Sequence, residues 1–187
     1  MPLQFERVET DFVACFKVGD NLRYNATNLF DLVEAHGEAS FEKLIVLQVA
    51  SLLEAALAQI IYRAQHNVRE GVPNMSEKDR REIEDKKVDK FNSIIDVLRK
   101  YKVLDDLGDE IYEELHKLRK FRNKVHIQED VKVDGASRDE ADIFTIELAN
   151  WSLGLNIKVF RFLSEDLPRP IGIRKYTKPI KLPVSLA

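Results

Sequence analysis

Leu44-Ile45-Val46-Leu47-Gln48-Val49-Ala50-Ser51-Leu52-Leu53-Glu54-Ala55-Ala56-Leu57-Ala58-Gln59-Ile60-Ile61 decides the fold. Its apolar residues surround most of a helical circumference at about 100° per residue, so the stretch reads as the central, most buried helix of a bundle. Ser40 is placed to cap it and the helix should run from Phe41 to about His66. One residue disagrees with its surroundings. Glu54 falls in the apolar sector near Ala50, Leu57 and Ile61, where a carboxylate needs a partner or a raised pKa. An arginine from a neighbouring helix is the obvious partner, and an edge position open to solvent is the other solution.

Working outward, Asn21 to Ala35 reads as a helix with Asp20 as cap and His36-Gly37 as stop. Before it, Phe5, Val8, Phe12 and Cys15-Phe16 suit a helical stripe at least as well as a strand, and of the two a helix is expected over residues 3–18. After the central helix, Gly71 and Pro73 break the chain. Ser76-Glu77-Lys78-Asp79 resembles a capping box with aspartate in place of the usual glutamate, opening a highly charged stretch to Lys90 that should be a solvated helical or mobile excursion. Phe91, Ile94, Ile95 and Leu98 give a further helix ending near Lys100-Tyr101, and another starts at Leu107-Gly108-Asp109. Ser137-Arg138-Asp139-Glu140 is a capping box for a last long helix, about 138–163, ended by Pro168 and Pro170.

These elements predict an all-α, up-down bundle of four or five long helices in one domain, residues 1–167, followed by an extended basic tail, residues 168–187. The tail holds five cations (Arg169, Arg174, Lys175, Lys178, Lys181) and no acid. The preceding body carries 24 basic against 32 acidic residues, a net of about −8 within the chain's total of −3. Such a body argues against a broad nucleic-acid-binding face but leaves room for a small, locally positive cleft. The tail could bind RNA or an acidic partner, or be a solvated extension. No run of about 18 apolar residues occurs, the N-terminus lacks a signal-peptide pattern and Cys15 is alone, so a cytoplasmic protein without disulfide, cysteine zinc site or membrane span is expected.

The candidate chemistry lies in Leu118-Arg119-Lys120-Phe121-Arg122-Asn123-Lys124-Val125-His126. Ile111, Leu115, Leu118 and Val125 form one apolar stripe, and Arg122 falls near its middle where a helix should bury a leucine. His126 follows one turn later on the same side, while Arg119 and Tyr112 continue the edge. Two guanidiniums, an imidazole and a phenol therefore converge. Arginine offers a planar fork to phosphate oxygens, and histidine exchanges a proton near neutral pH. Those capacities suffice to cleave RNA without a metal: the ribose 2′-hydroxyl attacks phosphorus, cationic donors stabilise the phosphoryl oxygens, and the imidazole moves protons. Two such pairs across a two-fold axis would supply both a proton donor and an acceptor. No glycine-rich phosphate loop, His-Glu-x-x-His motif or Gly-x-Ser-x-Gly turn is present, and Glu113-Glu114-Leu115-His116 supplies only one of the two Glu-x-x-His motifs that a bundle di-metal site needs.

Arg122-Asn123 followed by His126, together with Ser51-Leu52-Leu53-Glu54 on the earlier helix, resembles the HEPN superfamily of small helical-bundle proteins, whose signature is R-x4-6-H at the end of a late helix. The resemblance covers roughly residues 40–163. It implies a bundle that dimerises through the motif helices and either cleaves RNA without metal, as toxin–antitoxin and antiviral members do, or serves as a non-catalytic module binding RNA, nucleotide or a protein such as an antitoxin. It assigns phosphate contact to Arg122, orientation or sugar contact to Asn123 and proton transfer to His126, with Glu54 and Tyr112 supporting and no cofactor or metal. Arg122 and His126 have three intervening residues and Arg119 and His126 six, so either arginine can hold the motif position; both spacings leave arginine and histidine on one helical face. The plain structural alternative pairs Arg122 with Glu54 to pin two helices.

Overall fold

The computed structural model describes residues 5–8, 17–66, 72, 75–124 and 139–186. It is an all-α helical bundle with one small sheet. The helices are α1 (Lys17–Glu34), α2 (Glu42–His66), α3 (Glu77–Glu84), α4 (Phe91–Lys100), α5 (Ile111–Asn123), α6 (Glu140–Ile143), α7 (Ile146–Glu165) and α8 (Ile171–Arg174). Strands β1 (Phe5–Val8) and β2 (Ile180–Pro183) pair antiparallel, with Phe5 opposite Pro183 and Val8 opposite Ile180.

α2 is the axis of the bundle, packed by α1, α3, α4, α5 and α7. Ile45, Val46, Val49, Leu52, Leu53, Leu57 and Ile60 are all fully buried. The first backbone bond of α2 runs from the Ile45 N–H to the Phe41 carbonyl at 2.9 Å, so Phe41 rather than Ser40 holds the cap position. Its mean hydropathy is 2.0 over an 18-residue window, long and apolar enough to cross a membrane by length and composition, against the expectation that no stretch reaches that mark. Burial of most of that window inside the bundle accounts for the composition. One stripe still faces outward: Leu44 is 48% and Tyr62 51% exposed. Ser51, Ala55 and Ala58 lie on that stripe between them.

Several boundaries follow from local chemistry. α1 ends at Glu34, and Gly37 takes a φ of +106° in the turn that follows, a conformation costly for any residue with a Cβ. The capping box at α3 is present, with Ser76 and Asp79 bonding reciprocally. α3 is less detached than its charge suggests, because Ile83 is buried and the Gln65 side chain of α2 donates to the Ile83 carbonyl at 2.7 Å.

Three further expectations are overturned. The segment around Phe5 to Val8 is a strand, since the ladder it joins is supplied by β2 from the other end of the chain; residues 9–16 and Cys15 lie outside the described residues. The last long helix is two helices, α6 capped by the Asp139 carboxylate and α7 capped by the Thr145 hydroxyl, with Phe144 and Thr145 non-helical between them. Ser137 and Arg138 of the expected box lie outside the described residues. Finally, residues 168–186 dock on the bundle instead of extending into solvent: Leu182 is fully buried, Ile180 and Leu186 nearly so, and the Leu186 N–H donates to Asn150 Oδ1 at 2.6 Å.

Candidate nucleic-acid site at the end of α5

α5 buries Ile111, Leu115, Leu118 and Phe121 against its neighbours, which fixes where its charged residues emerge. Arg122, on the last turn, projects to the α2 side. There its Nη2 meets Glu54 Oε2 at 2.7 Å, with side chains 36% and 20% exposed. The pair supplies one of the two solutions the sequence left open for Glu54, and it is the contact that the plain structural alternative expected, joining α5 to α2. The contact engages a single Nη2, so most of the five guanidinium donors are not used by Glu54.

Asn123 and Arg119 are half-buried beside Arg122, and Lys124, which caps the helix, is buried. Arg119 Nε is buried and has no hydrogen-bond partner. Lys117, Arg119, Lys120, Arg122 and Lys124 thus gather cations on the last two turns, where the carbonyl end of the helix dipole favours positive charge. Phe121 anchors this end from beneath. Its ring meets Phe144 at 6.5 Å and Trp151 at 6.4 Å, both edge-on, and Lys117 Nζ lies 4.7 Å above the Trp151 ring. The break between α6 and α7, which sequence periodicity passes over, is what sets Phe144 against Phe121.

His126 and Val125 lie outside the described residues, as does the rest of 125–138. The structure therefore brings together Arg119, Arg122, Asn123 and Glu54.

Tyr112 belongs elsewhere. Ten residues before Arg122, it is roughly 15 Å away along the helix axis. Its hydroxyl accepts the Leu104 N–H at 3.0 Å and faces Asp105 Oδ1 at 2.8 Å and the Leu98 carbonyl at 3.3 Å. Burial pushes the phenol above its ordinary range, with Asp105 adding to the effect and the Leu104 N–H opposing it. Tyr112 closes the α4–α5 connection, and Arg99 stacks over its ring at 5.2 Å while pairing with Glu113 at 2.6 Å.

The Glu-x-x-His motif dissolves in the same region. Glu113 pairs with Arg99, Glu114 with Lys158, and His116 Nε2 approaches Asp96 Oδ1 at 3.5 Å. His116 is held below the ordinary imidazole value, first by burial, with Asp96 opposing and Arg119 and Arg99 adding to the depression. Among the described residues no group of three or more His, Cys, Asp or Glu side chains is arranged to hold a metal ion. The Asp96–His116 contact is a feature sequence reading missed; the signal available was two polar residues on the facing stripes of α4 and α5.

No family model, curated protein or solved structure matches the chain.

Proposed function

We propose that this protein is an HEPN-like, metal-independent endoribonuclease of a toxin–antitoxin or antiviral system, cytoplasmic and acting as a homodimer on RNA. The observation that carries the reading is Arg122 itself: a half-exposed guanidinium on the last turn of α5, oriented by Glu54 and flanked by Arg119 and Asn123. A carboxylate that engages one nitrogen fixes the fork while leaving donors to meet phosphoryl oxygens, which lowers the ordering cost of binding. His126, next on that face in sequence, is assigned the proton transfer and Asn123 the sugar contact.

The outward stripe of α2, with Leu44 and Tyr62 at its ends and small residues between, runs beside Glu54 and supports self-association along the α2–α5 edge. A second copy there would bring two Arg122 side chains to one groove. Introducing a charge with Ala55→Arg should dissociate the dimer in analytical ultracentrifugation.

The deciding experiment is incubation of purified protein with varied RNAs in EDTA. Expected are products ending in 2′,3′-cyclic phosphate, lost in His126→Ala with the fold intact by circular dichroism. Full activity in that variant, or no cleavage by the wild type on any RNA, overturns the nuclease reading.

The Arg122–Glu54 pair favours one second reading, a non-catalytic dimer that binds RNA, nucleotide or a protein partner at the same edge. It predicts that Arg122→Ala weakens binding while no cleavage appears.

A further inference from the structure

Residues 168–186 carry five cations and no acidic residue, a pattern shared with residues 115–128 around the end of α5. Arg174, Lys175, Lys178 and Lys181 are exposed within a segment that has no acidic residue, on a body that is net acidic. Exposed among them is Tyr176, at 44%, with Lys175 Nζ 4.8 Å from its ring centroid. Five residues before it, Ile171 is 84% exposed, the largest exposure among the big apolar side chains of the described residues.

The segment is mounted rigidly. Arg63 of α2 is 3% exposed, and its Nη1 donates to the Leu167 carbonyl at 3.0 Å, fixing the joint where α7 ends. Arg174 Nε donates to the Arg169 carbonyl at 3.1 Å, closing α8 on itself. Beyond α8, Ile180, Leu182 and Leu186 insert into the core while Lys178 and Lys181 point out, and Lys181 Nζ lies 4.7 Å from the Phe30 ring of α1. The cations therefore project from an element docked on the body.

We infer that this C-terminal segment is a docking surface for single-stranded RNA, with Tyr176 stacking on a base and Arg174, Lys175, Lys178 and Lys181 contacting the phosphates. Cations interleaved with an exposed aromatic ring serve a flexible polyanion that carries flat bases, because the ring takes any base face and the cations track the backbone. An acidic peptide would use the cations but gives the ring no matching partner. The acidic body repels a polyanion elsewhere, so the strand is confined to the tail and to the cationic end of α5. The inference extends the RNA reading to a second surface, and it is tested by binding alone, so loss of either claim leaves the other standing.

The test is fluorescence anisotropy on the full chain with a labelled oligouridine whose riboses are 2′-O-methylated and so lack the attacking hydroxyl. Lys175→Glu with Lys178→Glu should weaken binding about tenfold or more and reduce the slope of log affinity against log salt by about 1.4, the share of two phosphate contacts on a single strand. Tyr176→Ala should weaken binding about tenfold with the salt slope unchanged. Unlabelled RNA should displace the probe far better than polyglutamate. The inference fails if the double variant binds within twofold of wild type, if wild type does not bind, or if polyglutamate competes as well as RNA. It also fails if Arg122→Ala abolishes binding while the tail variants retain it, which would leave α5 as the sole RNA surface.

Discussion

The two ends of α5 carry similar residue types and do opposite things with them. At the start, Tyr112 and Glu113 face α4, where the Tyr112 hydroxyl is taken up by Leu98, Leu104 and Asp105 and Glu113 by Arg99, while His116 nears Asp96 through Nε2 and keeps a buried Nδ1 without a hydrogen-bond partner. At the finish, Arg122 makes one carboxylate contact and stays half-exposed, and Arg119 keeps a buried Nε without a hydrogen-bond partner. Polar groups whose capacity is spent on their neighbours hold helices together. A group that is exposed and has donors to spare, as Arg122 is, is available to a ligand. The difference comes from what each turn meets: the first turns meet Asp96, Leu98 and Arg99 in the second half of α4, whereas the last reaches Glu54 of α2.

The largest effect that would test this contrast is on catalysis. Arg122→Ala and His126→Ala should each reduce RNA cleavage by about 10²–10⁴-fold, as loss of a phosphate-stabilising donor or a proton-transfer group does, with both variants folded and only Arg122→Ala, which leaves Glu54 unpaired, lowering the unfolding midpoint. Tyr112→Phe should do the reverse. Leaving the buried Leu104 N–H without its acceptor should cost about 1–3 kcal/mol in urea unfolding, while cleavage at saturating RNA is unchanged. If Tyr112→Phe abolishes cleavage in folded protein, the two ends are not distinct.

A smaller effect refines the site. Glu54→Gln should lower stability by about 1 kcal/mol or less, since the pair is partly solvated, and should weaken RNA binding a few-fold by releasing the Arg122 fork that Glu54 orients. Tighter binding in that variant would make Glu54 a competitor for Arg122 and not its orienting group.

The smallest effect is a pH dependence. His116 is depressed in the folded chain, so below the ordinary imidazole value of 6.5 the unfolded state binds a proton that the folded state does not. Its contribution is therefore fully present above pH 6.5 and is lost as pH falls towards the folded value. His116→Asn should flatten that acid limb in urea midpoints measured between pH 5 and 7. An unchanged limb would show that the groups facing His116, namely Asp96 and Arg99 of α4 and Glu113 and Arg119 of α5, compensate for its burial.

How much of this was legible varies by element. α2 and α4 could be read directly, because each carries its apolar pattern through its own length. Glu54 could be read as needing an arginine, because an unpaired carboxylate in an apolar sector is costly wherever its partner comes from. β1 could not, since four residues of mixed pattern become a strand only when β2 arrives beside them. Nor could the helix break at Phe144-Thr145, where Asp139 and Thr145 each cap a helix within a stretch whose periodicity looks continuous. For Tyr112, spacing placed it correctly on the edge of the stripe but could not say that the α4–α5 connection would fold back over its hydroxyl.

The sequence by itself determined the helical class, the central place of α2, the cationic end of α5 and the separation of an acidic body from a basic C-terminal segment. All of these follow from local periodicity and charge, which need no knowledge of neighbours. Only the tertiary structure decided that Arg122 meets Glu54, that Tyr112 serves the scaffold, and that the basic segment is docked by Ile180, Leu182 and Leu186. Each of those depends on contacts between residues far apart in the chain, and pairings of that kind are set by how whole helices pack and by no pattern within any one of them.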